Sequence, residues 1–107
     1  MTAVFDTRPP VVKDTVSGSG IQVQIPSSIA ALGNTTVTLG ISKDGYNLIG
    51  IDNPVLSGAT NGSPKATYLV GSQIQIYNVS TVACKASGNI LRLTGTLVWA
   101  RNNLGIL

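Results

Sequence analysis

Hydrophobic and polar residues alternate along this chain with the period of a β-strand, most clearly between Ile90 and Ala100. One side of that segment is apolar and carries Leu91, Leu93, Leu97 and Trp99, with Gly95 as a gap in the row. Successive side chains of a strand point to opposite faces of a sheet, so this spacing predicts a strand with one buried face. We interpret it as a central strand, with the chain's only tryptophan as the largest contributor to the core.

Six shorter segments repeat this alternation and are separated by turn residues. They are residues 21–25, 36–41, 46–51, 66–70, 73–79 and 81–86. The sequence Lys43-Asp44-Gly45 is a strong hairpin signal, because Asp-Gly tolerates positive φ in a tight turn. Residues 27–33 are compatible with one helical turn. The pattern predicts an all-β fold, an antiparallel β-sandwich or small barrel of about seven or eight short strands.

The first twenty residues do not follow this pattern. Pro9 and Pro10 favour an extended path, because each proline fixes φ and removes a backbone donor. The sequence Ser17-Gly18-Ser19-Gly20 has the composition of a flexible joint. We therefore divide the chain into an extended N-terminal arm, residues 1–20, and a β-sandwich or barrel domain, residues 21–107.

Composition supports the all-β prediction and limits the partners. Val, Ile and Thr supply 32 residues, and these β-branched types fit a pleated sheet better than a helix. Seven basic and four acidic residues give a net charge of +3, and the basic residues are spread along the chain. A nucleic-acid site would require them to cluster. We therefore predict no specific nucleic-acid partner.

The residue types of common catalytic and metal sites are scarce. The chain has no histidine and no glutamate, which removes the usual general base, Ser-His and Cys-His pairs, and most zinc sites. Its four carboxylates, Asp6, Asp14, Asp44 and Asp52, lie in the arm or beside turns, where no pair is expected to face across a cleft. Calcium binding by Asp52 and Asn53 is an alternative, although turn chemistry explains both residues. We predict no enzymatic activity, cofactor or metal.

Compartment signals are few. No segment approaches the roughly 20 apolar residues of a membrane helix, so no membrane partner is expected. Residues 1–6 lack the features of a signal peptide, which indicates a protein made in a cytoplasm. The single cysteine, Cys84, excludes an internal disulfide, and its neighbours favour a buried position.

Apolar residues at both ends of a small, sparsely charged domain indicate association with another chain. A domain of about 87 residues buries only some 60–68% of its unfolded surface. Ile90 and Val98, beside Arg92, also occupy positions where a lone sandwich would favour polar residues. We predict a homodimer or homotrimer that also contacts a larger assembly. The predicted partner contacts in the arm and tail are Phe5, Arg8, Pro9, Pro10, Val11, Val12, Ile106 and Leu107.

The layout of the whole chain resembles small virion proteins of tailed bacteriophages, and most of all capsid decoration, or cement, proteins. The features that carry the resemblance are the Thr7-Arg8-Pro9-Pro10-Val11-Val12 arm, the Gly-Ser-Gly joint and the Thr-, Ser-, Asn- and Gly-rich body without glutamate. The resemblance implies a non-enzymatic viral structural protein at the capsid surface of the virion. It further implies that the subunit bridges neighbours in the major capsid protein lattice and stabilises the head.

Two alternatives remain open at this point. One is a phage tail or fibre component, and the other is a β module that binds carbohydrate on a host surface. The flat apolar faces of Tyr46, Tyr68 and Tyr77 would serve the second alternative. Amphipathic tyrosines at sheet margins explain the same residues without a ligand.

Overall fold

The computed structural model describes residues 5–102, and within them it contains eight β-strands and no α-helix. The strands are β1 (Val11–Gln24), β2 (Asn34–Thr38), β3 (Tyr46–Ser57), β4 (Ala59–Asn61), β5 (Pro64–Tyr68), β6 (Gln73–Asn78), β7 (Lys85–Ala86) and β8 (Ile90–Arg101). A single 3₁₀ turn, Ser87–Asn89, precedes β8. The all-β prediction is confirmed.

The strands form three antiparallel sheets in the described part of the chain. The first has the order β1-β8-β3, the second the order β2-β6-β5, and the third is the pair β4-β7. In the first sheet β8 pairs along most of its length with both neighbours, as when Trp99 lies between Val12 and Leu48. The prediction that this strand is central is therefore confirmed. The molecule is elongated and measures 63 × 23 × 21 Å.

The core lies between the first two sheets and is built from alternating positions. Four alternating positions of β8 are buried, two on each side of the half-buried Gly95, and Ile74 and Ile76 of β6 face them from the second sheet. The β8 residues on this inner face are the predicted Leu91, Leu93, Leu97 and Trp99. Cys84 is fully buried, as expected, and the burial raises the pKa of its thiol. The period of the sequence therefore identifies which side of β8 faces the core.

The arm prediction is wrong for residues 11–20, because they belong to β1. Val11 to Val16 pair with Ala100 to Gly95, and Ile21 to Gln24 pair with Leu93 to Ile90. The four residues Ser17–Gly20 do not join an arm to a domain. They bulge out of the strand opposite a single β8 residue, and positive φ at Gly18 and Gly20 permits this. A boundary at residue 20 would divide one continuous strand.

Two local predictions are also corrected. The Lys43-Asp44-Gly45 turn is present, with the Tyr46 amide donating to the Lys43 carbonyl at 3.1 Å, but the strands on either side do not pair with each other. Instead β2 pairs with β6, and β3 pairs with β8. Residues 27–33 form an isolated bridge, Ile29 to Cys84, and a tight turn rather than a helical turn.

Gly95 lies where both neighbours of β8 are irregular. The Ser17–Gly20 bulge lies on one side, and on the other Asn53 and Pro54 of β3 bulge opposite this one residue. Gly95 has φ +147°, and a Cβ added there would lie 2.9 Å from the Asp52 carbonyl oxygen and 3.1 Å from that of Asn53. The bulged β3 backbone thus occupies the space that a side chain would need.

We expect Gly95→Val to lower the free energy of unfolding by more than about 1 kcal/mol, because β3 must shift and φ becomes strained. Chemical denaturation measures this directly. Gly40→Val is the matched control, since Gly40 has open space around its Cβ position, and it should change stability by less than about 0.5 kcal/mol. Equal effects of the two substitutions would contradict the close approach at Gly95.

Candidate functional site

The four carboxylates do not converge on a catalytic or metal site. Asp6 pairs with Arg8 at 2.7 Å, Asp14 with Lys43 at 3.3 Å, and Asp52 with Lys13 at 3.9 Å. Asp44 lies in the turn before β3. No group of three or more Cys or Asp residues suited to a metal ion occurs within residues 5–102. These carboxylates therefore lie in separate ion pairs or in a turn, and Asp6 also lies 3.7 Å from Arg101.

Arg8 fastens the segment before β1 to the end of the first sheet. Its guanidinium donates to the Gly45 carbonyl at 2.5 Å and to the Asn102 carbonyl, and lies 5.3 Å from the centre of the Tyr46 ring. Arg101 donates to the Arg8 carbonyl at 2.8 Å. We call this group of Asp6, Arg8, Tyr46 and Arg101 the N-terminal clamp.

The clamp changes the interpretation of the predicted partner contacts. The Arg8 side chain already hydrogen bonds to groups of its own chain. Val12 packs against the core. The carbonyls of Pro9 and Pro10 accept hydrogen bonds from the Tyr46 hydroxyl and the Arg101 amide. Phe5, 81% exposed, and Val11, 47% exposed, remain open to a partner. Ile106 and Leu107 lie outside the described residues. Contact of these residues with another chain stays a prediction.

Electrostatics reinforce the clamp. The Arg8 side chain, which hydrogen bonds to the carboxylate, lowers the pKa of Asp6 to about 2, and the charge of Arg101 acts in the same direction. A carboxylate whose pKa falls on folding stabilises the folded state above its unfolded pKa, here 3.8. That stabilisation is lost as the pH falls from about 4 towards 2.

We expect a carbon-detected NMR titration of the Asp6 carboxyl to give a pKa of about 2 in the natural chain. In Arg8→Gln the value should return towards 3.8, because the charged donor is gone. Arg92→Gln changes a distant arginine and is the control that should leave Asp6 unaltered. An Asp6 pKa near 3.8 in the natural chain would show that the clamp does not form in solution.

The three tyrosines do not form one ligand platform. Tyr46 belongs to the clamp, and its hydroxyl donates to the Pro9 carbonyl at 3.0 Å. The Tyr68 hydroxyl donates to the Leu48 and Gly71 carbonyls, and burial raises its pKa. Tyr77 lies on the outer face of the second sheet, where its hydroxyl donates to Gln75 at 2.5 Å. A carbohydrate site that uses all three rings together is not built here.

A cleft of about 490 Å³ opens where the first sheet extends past the β5–β6 turn. We call it the end cleft; its apolar lining residues are Ile41, Tyr46, Leu48, Ile49 and Trp99. Ser72, from the β5–β6 turn, forms part of the opposite wall. The Trp99 indole nitrogen is the one buried side-chain donor of residues 5–102 without a hydrogen-bond acceptor. The sequence identified Trp99 as a core residue but not as the wall of a cleft.

The outer face of the first sheet is broad and carries little charge. Along β8 it presents Ile90, Arg92, Thr94, Thr96, Val98 and Ala100, all half-buried between the neighbouring strands. Val11 of β1 and Val55 of β3, each about half exposed, flank this row, and register places them beside Ala100 and Thr94. Lys13 and Asp52 are paired across it. No described element covers this face.

Asn78 organises the loops at the far end of β6 from the end cleft. It is 1% exposed, and its side-chain amide donates to the carbonyls of Ile29, Ala30 and Val82 at 3.2, 3.0 and 2.8 Å. Its side-chain oxygen accepts from the amides of Ser63 and Ser80. This role could not be predicted from the sequence, because one polar residue at the end of an alternating strand resembles any strand end.

We expect Asn78→Ala to lower the free energy of unfolding by about 2–4 kcal/mol, since a buried side chain loses five hydrogen bonds to backbone groups. Asn34→Ala removes a single exposed side-chain hydrogen bond and should cost less than about 0.5 kcal/mol. Thermal and chemical denaturation of both variants provide the comparison. Similar losses would mean that solvent readily replaces the Asn78 contacts.

Comparisons with known proteins found no matching family model, curated protein or solved structure. No helix among the described residues is long and apolar enough to span a membrane. Function must therefore be argued from the surfaces of this chain.

Proposed function

We propose that this chain is a non-enzymatic virion structural protein, a capsid decoration or cement subunit of a tailed phage. In this role it binds the capsid surface and bridges neighbouring subunits of the major capsid protein lattice. The observation that carries the proposal is the uncovered outer face of the β1-β8-β3 sheet, with its sparse charge and exposed valines.

An antiparallel sheet in a sandwich normally keeps one face polar and solvated. Here the outer side of β8 carries one charge, on Arg92, among six residues, and the flanking strands add the Lys13–Asp52 ion pair. Covering such a face removes β-branched surface from water, which is favourable. It desolvates few charges, so the free-energy cost of taking charged groups out of water is small. The same exchange on a heavily charged face would be costly. The low cost of covering this face favours the interpretation that another protein covers it.

The size of the face indicates how it would act. Twelve residues of β8 span about 40 Å, and three strands are about 14 Å wide, which gives roughly 560 Å². A stable pairwise interface uses about 800 Å² on each partner. One subunit therefore contributes a modest contact, and a homodimer or homotrimer on a repeating lattice gains from several contacts made together.

Binding of this kind stabilises a shell by mass action. A subunit that buries its face only when two lattice neighbours are in the expanded arrangement lowers the free energy of that arrangement and of no other. No reaction is required, which agrees with a chain that has neither histidine nor glutamate and whose described carboxylates do not converge. The carbohydrate-binding and tail-fibre alternatives gain no specific structural observation.

We expect Val98→Lys to reduce binding to expanded phage shells at least about tenfold, because it puts an additional charge without a carboxylate partner on the covered face, beside Lys13. Gln75→Lys is the matched control, since it adds the same charge on the outer side of β6, the central strand of the second sheet. Cosedimentation with expanded and unexpanded shells measures both, and circular dichroism checks folding. Unchanged binding by a folded Val98→Lys would exclude this face as the contact surface, and no binding by the natural chain would refute the proposed role.

A further inference from the structure

An exposed apolar knob stands at the end of the molecule that Asn78 organises. It consists of Leu32, Val79 and Val82, which are 69%, 55% and 54% exposed. Their backbones are held together, because the Leu32 amide donates to the Ser80 carbonyl at 3.0 Å and the Val82 carbonyl accepts from Asn78. The knob is thus displayed on a hydrogen-bonded base rather than on a free loop.

Leu32 is the informative residue of the knob. The Gly33 amide donates to the Ala30 carbonyl at 2.9 Å, which makes Ala31 and Leu32 the central residues of a tight turn. Leu32 has φ +57°, a conformation that glycine and asparagine adopt readily and leucine does not. Folding alone would favour glycine or asparagine here, because leucine gains little burial and is strained. A strained, exposed leucine is explained if its side chain is buried in a contact.

The same chain carries a site with matching character. The end cleft has an apolar part formed by Ile41, Tyr46, Leu48, Ile49 and Trp99, with Ser42, Lys43, Asn47 and Ser72 adding polar groups to its lining, and a volume suited to a few inserted side chains. It opens beside Ser72, before β6 begins, whereas Val79 follows the end of β6. The six residues of β6 separate the two by about 20 Å, so one chain cannot insert its own knob.

We propose that the apolar knob of one copy inserts into the end cleft of a second copy, forming a head-to-tail contact. The segments that carry the knob, residues 26–33 and 78–84, contain no charged residue, which disfavours an anionic lipid surface or a nucleic acid as the occupant. Three side chains cover far less than the roughly 800 Å² of a stable interface, so the contact forms in a concentration-dependent manner. Because knob and cleft are different surfaces, repetition gives rings or open chains.

The test uses sedimentation velocity of the full chain over a concentration series, with the fluorescence of the single tryptophan, Trp99, as a reporter in the cleft wall. Leu32→Asn removes the knob's largest side chain and relieves the turn, so it should fold at least as stably as the natural chain. Ile49→Asp places a carboxylate in the end cleft. Thr36→Asn, on the exposed edge of the second sheet, is the control outside both surfaces.

We expect Leu32→Asn and Ile49→Asp each to weaken self-association at least about tenfold, and Thr36→Asn to leave it unchanged. An equimolar mixture of the two defective variants should form 1:1 pairs with a shift in Trp99 emission, because one variant retains a cleft and the other a knob. Self-association that survives Ile49→Asp but not Leu32→Asn would indicate knob-to-knob contact and overturn the proposal. A natural chain that stays monomeric throughout the series would also overturn it.

The result is independent of the shell-binding assay. Val98→Lys changes the outer face of the first sheet, whereas Leu32→Asn and Ile49→Asp change the two ends of the sandwich. Loss of shell binding with intact self-association, or the reverse, therefore separates the two proposals.

Discussion

The antiparallel pairing of β8 on both of its edges is the constraint on which the rest of this structure depends. It holds β1 and β3 against most of the length of one twelve-residue strand and aligns their side chains with its own alternation. The inner row of β8 then has to be covered, and the sheet built around β6 covers it with Ile74 and Ile76. The outer row has no such cover within the described chain. The same pairing that creates the core therefore also creates the uncovered face.

Departures from regular pairing determine where the other features lie. Both neighbours of β8 bulge close to Gly95, β3 opposite Gly95 and β1 opposite Thr94, and both resume pairing with β8 beyond the bulge. Towards Arg101, the β1-β8-β3 sheet extends further than the β2-β6-β5 sheet. The N-terminal clamp and the end cleft lie on this extension. At the opposite end, Asn78 is the last residue of β6, and its side chain makes five hydrogen bonds to backbone groups of the segments around it. These irregular positions hold the features that distinguish this molecule from a generic sandwich.

The sequence predicted the fold class and the buried face of β8, because a period of two reports directly which side chains share a face. It did not predict strand partners, since the period is the same whichever strand lies alongside; the Asp44-Gly45 turn therefore suggested a hairpin that β2 and β3 do not form. It placed residues 11–16 outside the sheet because consecutive valines and nearby Pro and Gly concealed their alternation. The knob and the end cleft were not predicted, because each joins residues distant in sequence.

Several exposed apolar residues of this chain add little to the stability of the isolated fold but would favour its association with a partner. A small sheet domain without a disulfide gains little from each exposed valine or leucine, and a leucine at positive φ is unfavourable for the isolated fold. The polar alternatives at these positions would improve solubility at no expense to the core, which is formed by other residues. Exposed apolar side chains on a rigid backbone lose little conformational entropy when a partner covers them, so they favour association more than similar residues on a mobile loop would. The arrangement is therefore better suited to a subunit than to an isolated monomer.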